Sequence, residues 1–254
     1  MEATITRTYG NNVVYVYDSV DVLKEAATEL IVQQAINTVA QQSHFSIALS
    51  GGTTPVGVYQ RLVSDKWLKR FPWEQTQFVF GDERYVSADN VQSNYKMAME
   101  AFLQSAPVNA EHIYPVPTDC EHPDDCAERY ERTLREALKS EGASDLPVID
   151  LVLLGMGDDG HTASLFPDTE ILTESVSAVA AVYVDKLESW RISMTFPLLN
   201  NAKQVVILVT GENKAAVLAE VMKSAATSYP IQKIQNQNGI LWLVDQSAAS
   251  QLGD

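Results

Sequence analysis

Residues 149–167 read I-D-L-V-L-L-G-M-G-D-D-G-H-T-A-S-L-F-P. From Ile149 to Leu154 every residue except Asp150 is apolar, which reads as a strand buried on both faces, as in a parallel sheet. The strand breaks into a turn that carries Gly155, Gly157 and Gly160, with Asp158 and Asp159 inside it and His161 directly after. In open α/β sheets ligands bind in the crevice beyond the carboxyl ends of the strands. Glycines there let backbone approach a ligand closely, and histidine is the side chain best suited to proton transfer near neutrality. A histidine that merely caps a turn is the plain alternative. The coincidence of strand, glycines and acids favours chemistry.

Two further strand-to-turn junctions lie on the N-terminal side. Phe45 to Leu49 reads as a short strand, followed by S-G-G-T-T-P at Ser50–Pro55 and an apolar-periodic helix. Thr54 is the expected N-cap and Pro55 the first helical residue, where a missing N–H costs nothing. A helix N-terminus offers unpaired N–H groups and partial positive charge, so Ser50, Gly51, Gly52 and Thr53 read as a phosphate cradle. The alternative is an ordinary βα turn. The segment is neither a Walker A loop nor a dinucleotide fingerprint, and Ser50 is not in a G-x-S-x-G elbow. Gln77 to Phe80 is a third strand, ending in G-D-E-R-Y-V at Gly81–Val86. Arg84 there can grip a phosphate or carboxylate in bidentate fashion, or sit in a surface ion pair with Asp82 and Glu83.

The remaining elements are scaffold. Val13–Tyr17 reads as a first strand and Ser19–Ala40 as a helix capped by Ser19. Ser93 caps a helix to Leu103. Asp124–Leu138 is an amphipathic helix with a solvated charged face. Ala178–Val184, Gln204–Gly211 and Gly239–Val244 read as strands. Asn213 is expected to cap a helix to Met222, leaving Lys214 in its first turn. Lysine there opposes the helix dipole, a placement better explained by a bound anion. Arg191 has a similar standing.

The chain has 254 residues, 46% of them hydrophobic, which suffices for a full core and argues against disorder. No repeat, low-complexity tract or long linker divides it, so one domain over residues 1–254 is expected. The formal net charge of −15 argues against nucleic acid and anionic membrane as partners. It leaves room for a phosphorylated small molecule, because screening over about 8 Å lets a local basic pocket act alone. No apolar run approaches a membrane span, and the N-terminus lacks a signal pattern; a cytoplasmic location is expected. Cys120 and Cys126, with His112 and His122 nearby, fit no common metal motif. Free thiols in a reducing compartment are the plainer account.

Four segments together resemble the 6-phosphogluconolactonase family. They are S-G-G-T-T-P at Ser50, G-D-E-R-Y-V at Gly81, G-M-G-D-D-G-H-T-A-S-L-F-P at Gly155, and R-I-S-M-T-F-P-L-L-N-N-A-K with V-T-G-E-N-K-A from Arg191 to Ala215. The resemblance covers nearly the whole chain. It implies a Rossmann-like, doubly wound, mostly parallel α/β sheet flanked by helices. It implies hydrolysis of 6-phospho-D-glucono-1,5-lactone to 6-phosphogluconate, in the oxidative pentose phosphate pathway, by a monomer or small homo-oligomer needing neither metal nor other cofactor. By the same resemblance His161 is the base with Asp159 beside it, and Asp82 and Arg84 line the site. The Ser50–Thr53 turn, Arg191 and Lys214 hold the 6-phosphate. Asp158 occupies a variable position and receives no role.

Two other readings stay open. Glucosamine-6-phosphate deaminases share the fold, but their histidine segment resembles G-H-I-A-F-N-E-P where this chain has G-H-T-A-S-L-F-P. A non-catalytic sugar-phosphate sensor would need a DNA-binding module, which the short stretch before Val13 and the negative charge do not suggest.

Overall fold

Asp150, the one polar residue at the start of the central strand, is 3% exposed. It accepts from Ser46 N at 2.8 Å, Ser46 Oγ at 2.9 Å and Gln42 Nε2 at 2.8 Å, and pairs with Lys203 at 2.8 Å. A buried carboxylate is tolerable only when so partnered. Here it fastens two neighbouring strands at their N-terminal ends.

The computed structural model describes residues 2–138, 146–223 and 229–253. In chain order the strands are β1 (Ile5–Tyr9), β2 (Asn12–Tyr17), β3 (Phe45–Leu49), β4 (Thr76–Phe80), β5 (Asp82–Arg84), β6 (Ile113–Tyr114), β7 (Leu151–Gly155), β8 (Val179–Val184), β9 (Ser189–Met194), β10 (Gln204–Val209) and β11 (Ile240–Asp245). The α-helices are α1 (Val20–Gln42), α2 (Thr53–Leu62), α3 (Asn94–Ala98), α4 (Pro123–Ala137), α5 (Phe196–Asn200) and α6 (Ala215–Lys223). An eight-stranded sheet runs β1-β2-β11-β10-β7-β3-β4-β6, parallel throughout except for the β1–β2 hairpin. A second, antiparallel sheet runs β5-β9-β8.

The chain winds outward from β3 through β4 to β6, returns to β7, and winds the other way through β10 to β11. The switch point therefore lies between β3 and β7, where the crevice rule places a ligand. This is the expected Rossmann-like, mostly parallel α/β architecture. Central strands are buried on both faces and apolar but for Ser46: all five residues of β3 and the first four of β7 are buried. No helix among the described residues is long and apolar enough to cross a membrane.

Ser19 caps α1, accepting from Val22 N at 3.3 Å, and Ser93 caps α3, accepting from Lys96 N at 3.1 Å. The expected helix to Leu103 is α3 continued by a π-helical turn over Met99–Leu103. Two expected caps are replaced by glycine. Gly52 at φ 102° precedes α2, which starts at Thr53 rather than Pro55, and the Thr54 hydroxyl instead meets Thr210 Oγ1 at 2.7 Å. Gly211 at φ 97° precedes a 3₁₀ turn over Glu212–Lys214, so α6 begins only at Ala215 and Asn213 does not cap it. In both places the left-handed backbone conformation, cheap for glycine, sets the turn before a hydroxyl or amide can. On α4 one charge departs from the solvated face: Glu131 Oε2 accepts from Ala178 N at 2.8 Å and holds the start of β8.

The cysteines correct the sequence reading. Cys120 and Cys126 are not free thiols but a disulfide, with Cα atoms 5.6 Å apart. The loop before α4 folds back over the helix start, placing Cys120 N 3.2 Å from Cys126 Sγ, and that separation suits the bond.

Candidate active site

The turn after β7 is closed on itself. Gly157 N–H donates to His161 O at 2.8 Å and Gly160 N–H to Gly157 O at 3.2 Å. Those two amides are therefore spent within the turn and are not free to donate to a ligand. What the turn does is present His161. Asp159 Oδ1 accepts the His161 backbone N–H at 3.1 Å and lies 2.5 Å from its Nδ1. A carboxylate there assigns the proton to Nδ1 and leaves Nε2 as the acceptor. The Phe166 ring stacks on the imidazole with centroids 4.0 Å apart. Asp159 Oδ2 accepts from Lys186 Nζ. Burial pushes the Asp159 carboxyl up, but the bonds from Lys186 and His161 outweigh it and hold the carboxyl at about 2. The absence of a side chain at Gly157 is required: a Cβ there would lie 2.0 Å from His161 Nδ1.

The turn after β4 supplies the opposite wall. Glu83 is 2% exposed and accepts from Arg84 N and Asn94 N at 2.7 Å, Tyr95 N at 2.8 Å and Ser93 Oγ at 3.0 Å. Burial nonetheless pushes its carboxyl above the usual range. It is a structural anchor that ties β5 to the start of α3. Asp82 accepts from Ser164 Oγ at 2.7 Å, and its backbone oxygen accepts from Asn94 Nδ2 at 2.9 Å. Asn94 in turn fills the space beside Gly51, where a Cβ would meet its Oδ1 at 2.3 Å. Arg84 forms no ion pair with Asp82 or Glu83 among the described residues; its guanidinium donates to Gln92 O at 2.5 Å. Arg84 and Arg191 are register partners across β5 and β9, and the Nε of each is buried without a hydrogen-bond partner.

These walls enclose a cavity of about 410 Å³ at the carboxyl ends of β3, β4, β7 and β10. Ser50, Gly51, Gly52, Thr53, Asp82, Arg84, His161 and Lys214 all line it. Asp159 stands behind His161, and Arg191 stands beside Arg84 just off the lining. Four participants had no local signature in the sequence: Asn94, Ser164, Phe166 and Lys186. Lys186 is visible only once β8 and β9 are placed.

Fold and site thus define an α/β protein with an uncapped helix start and a histidine–carboxylate pair around one cavity at its strand ends. A family profile described as "Glucosamine-6-phosphate isomerases/6-phosphogluconolactonase" matches residues 18–242. A 6-phosphogluconolactonase of Nostoc sp. is 40% identical over 88% of this chain and 91% of its own. One of Synechocystis sp. is 38% identical over 91% and 94%. Among solved structures, a 6-phosphogluconolactonase from Trypanosoma cruzi superposes with a TM-score of 0.86, at 28% identity, over 98% of this chain and 99% of its own. The chain belongs to the 6-phosphogluconolactonase family, within the wider group that also holds the glucosamine-6-phosphate isomerases.

Proposed function

We propose that the chain is a hydrolase that opens 6-phospho-D-glucono-1,5-lactone to 6-phospho-D-gluconate, with His161 as the base. The observation that carries this reading is the Asp159–His161 contact at 2.5 Å on the edge of the cavity. With Nδ1 held by the carboxylate, Nε2 takes a proton from water as its oxygen attacks C1 of the lactone. The resulting imidazolium, stabilised by Asp159, returns that proton to the ring oxygen as the C1–O bond breaks. Charge on the carbonyl oxygen in between is met by Arg84, since Gly157 and Gly160 have committed their N–H groups. Asp82 retains acceptor capacity for a sugar hydroxyl.

The phosphate is held apart from the reacting carbon. At the start of α2 no side chain caps the first N–H groups, which leaves them for an anion. Lys214 lines the same cavity, and Arg191 reinforces Arg84. Anchoring the remote phosphate orients C1 against the water. Residues 1–254 are read as one unit, because β11 inserts between β10 and β2 and so joins the two ends of the chain.

The test is loss of the lactone generated in place from glucose 6-phosphate, corrected for spontaneous hydrolysis, with ammonia release from glucosamine 6-phosphate run in parallel. Protein-dependent loss of the lactone is expected. Ammonia release without it would transfer the chain to the deaminases, and no turnover of either would favour a sensor.

A further inference from the structure

We propose that Lys186 is a positioning residue for His161, acting through the two groups that hold the imidazole. Lys186 lies on the 3₁₀ turn Asp185–Leu187 between β8 and β9, so it reaches the site from the second sheet. Its ammonium donates to Asp159 Oδ2, while Asp159 Oδ1 faces His161 Nδ1. The same ammonium sits 4.7 Å from the centroid of Phe166, the ring stacked on His161. One cation thus touches both the carboxylate at the imidazole edge and the aromatic ring on its face.

Both contacts have physical consequences. A carboxylate with one oxygen fixed by lysine has its plane set, so the other oxygen meets Nδ1 in one geometry. The ammonium over Phe166 adds a cation–π attraction that holds the ring where it stacks. Lys186 also shares the charge of Asp159 with the imidazole. Without it the whole of that charge falls on His161 and favours imidazolium. Other charged groups facing the same cavity as His161 are Asp82 and Arg84 after β4 and Lys214 after β10, and Asp158 lies on its own turn. None contacts Lys186, so removing the lysine isolates its effect.

This inference rests on His161 being the base, and its test is arranged to separate the two. Wild type, Lys186→Met and Lys186→Arg are compared by the pH dependence of kcat/KM and by NMR titration of the His161 imidazole, which needs no turnover. In Lys186→Met we expect kcat to fall about 10-fold, less than the roughly 10²–10⁴-fold a positioned base contributes, with KM nearly unchanged. The acid limb of kcat/KM and the imidazole titration both move to higher pH, and Lys186→Arg restores them. A lower kcat with limb and titration unmoved would mark a merely structural lysine and overturn the proposal. Wild type inert toward the lactone, with the imidazole titration still shifted in Lys186→Met, would sink the assignment of the reaction and leave the positioning intact.

Discussion

Arg84 and Arg191 face each other directly across the β5–β9 register. Like charges directly opposite in an antiparallel pair are destabilising. Burial, then the neighbouring Arg84, pulls the Arg191 guanidinium below its usual range, and Asp82 and Glu83 only partly restore it. A dianionic phosphate bound there, as the proposed function requires, would relieve that repulsion. We expect inorganic phosphate to raise the melting temperature of the wild type, and Arg191→Ala to shrink that rise without lowering the melting temperature in phosphate-free buffer. A charge-assisted hydrogen bond is worth about 1.5–3 kcal/mol, so KM in the variant should rise roughly 10-fold or more. A KM and a phosphate response equal to wild type would place the anchor elsewhere.

His161→Ala should remove at least about 10²-fold of kcat, the lower bound for a positioned base. Because the proposed base and the proposed phosphate cradle sit on different turns, affinity for 6-phosphogluconate should hold within a few-fold. Calorimetric titration of the product measures it independently of turnover.

Gly157→Ala should mimic that loss while leaving the imidazole in the chain. The added methyl would overlap His161 Nδ1 and lie 2.6 Å from Asp159 Oδ1, so the pair must move. Activity near wild type would mean that the turn relaxes more cheaply than the geometry indicates.

Glu83→Gln tests the anchor under the site. An amide can accept from only one side, so donors now bonded to the second oxygen are left unpaired. Each such buried donor costs about 1–3 kcal/mol. Lower stability in urea unfolding is expected, with a smaller loss of activity through displaced Asn94.

Asp159 gives a pH signature. Its carboxyl lies at about 2 when folded and near 3.9 when unfolded. A depressed folded value contributes stability that is fully present above the unfolded value and lost as pH falls through the folded one. The stability difference between wild type and Asp159→Asn should therefore narrow between about pH 4 and pH 2. A difference constant across that window would count against the ion pair with Lys186.

The sequence carried the central sheet well because β3, β7, β10 and β11 are apolar runs whose burial needs no partner to be inferred. It hid β1, I-T-R-T-Y, whose alternation is mostly polar on an edge. It also hid β5 and β6, of three and two residues, which exist only through their neighbours' ladders. The residues of the strand-to-turn junctions that line the cavity were legible from glycine, charge and position. Asn94, Ser164 and Lys186 were not, since each acts on a residue at least twelve positions away. The disulfide escaped because its partners meet only where the loop folds back over α4.

The seat of β11 ties the two ends of the chain together. Residues 240–245 lie between β10 and β2 and are the parallel neighbour of residues 12–17. During synthesis the β1–β2 hairpin emerges well before β11, the strand it pairs with, so its place in the sheet does not exist until β11 has followed it. Until then that hairpin keeps an apolar edge open, and such edges invite pairing with other chains. The order of synthesis, rather than the finished architecture, leaves that hairpin exposed to error.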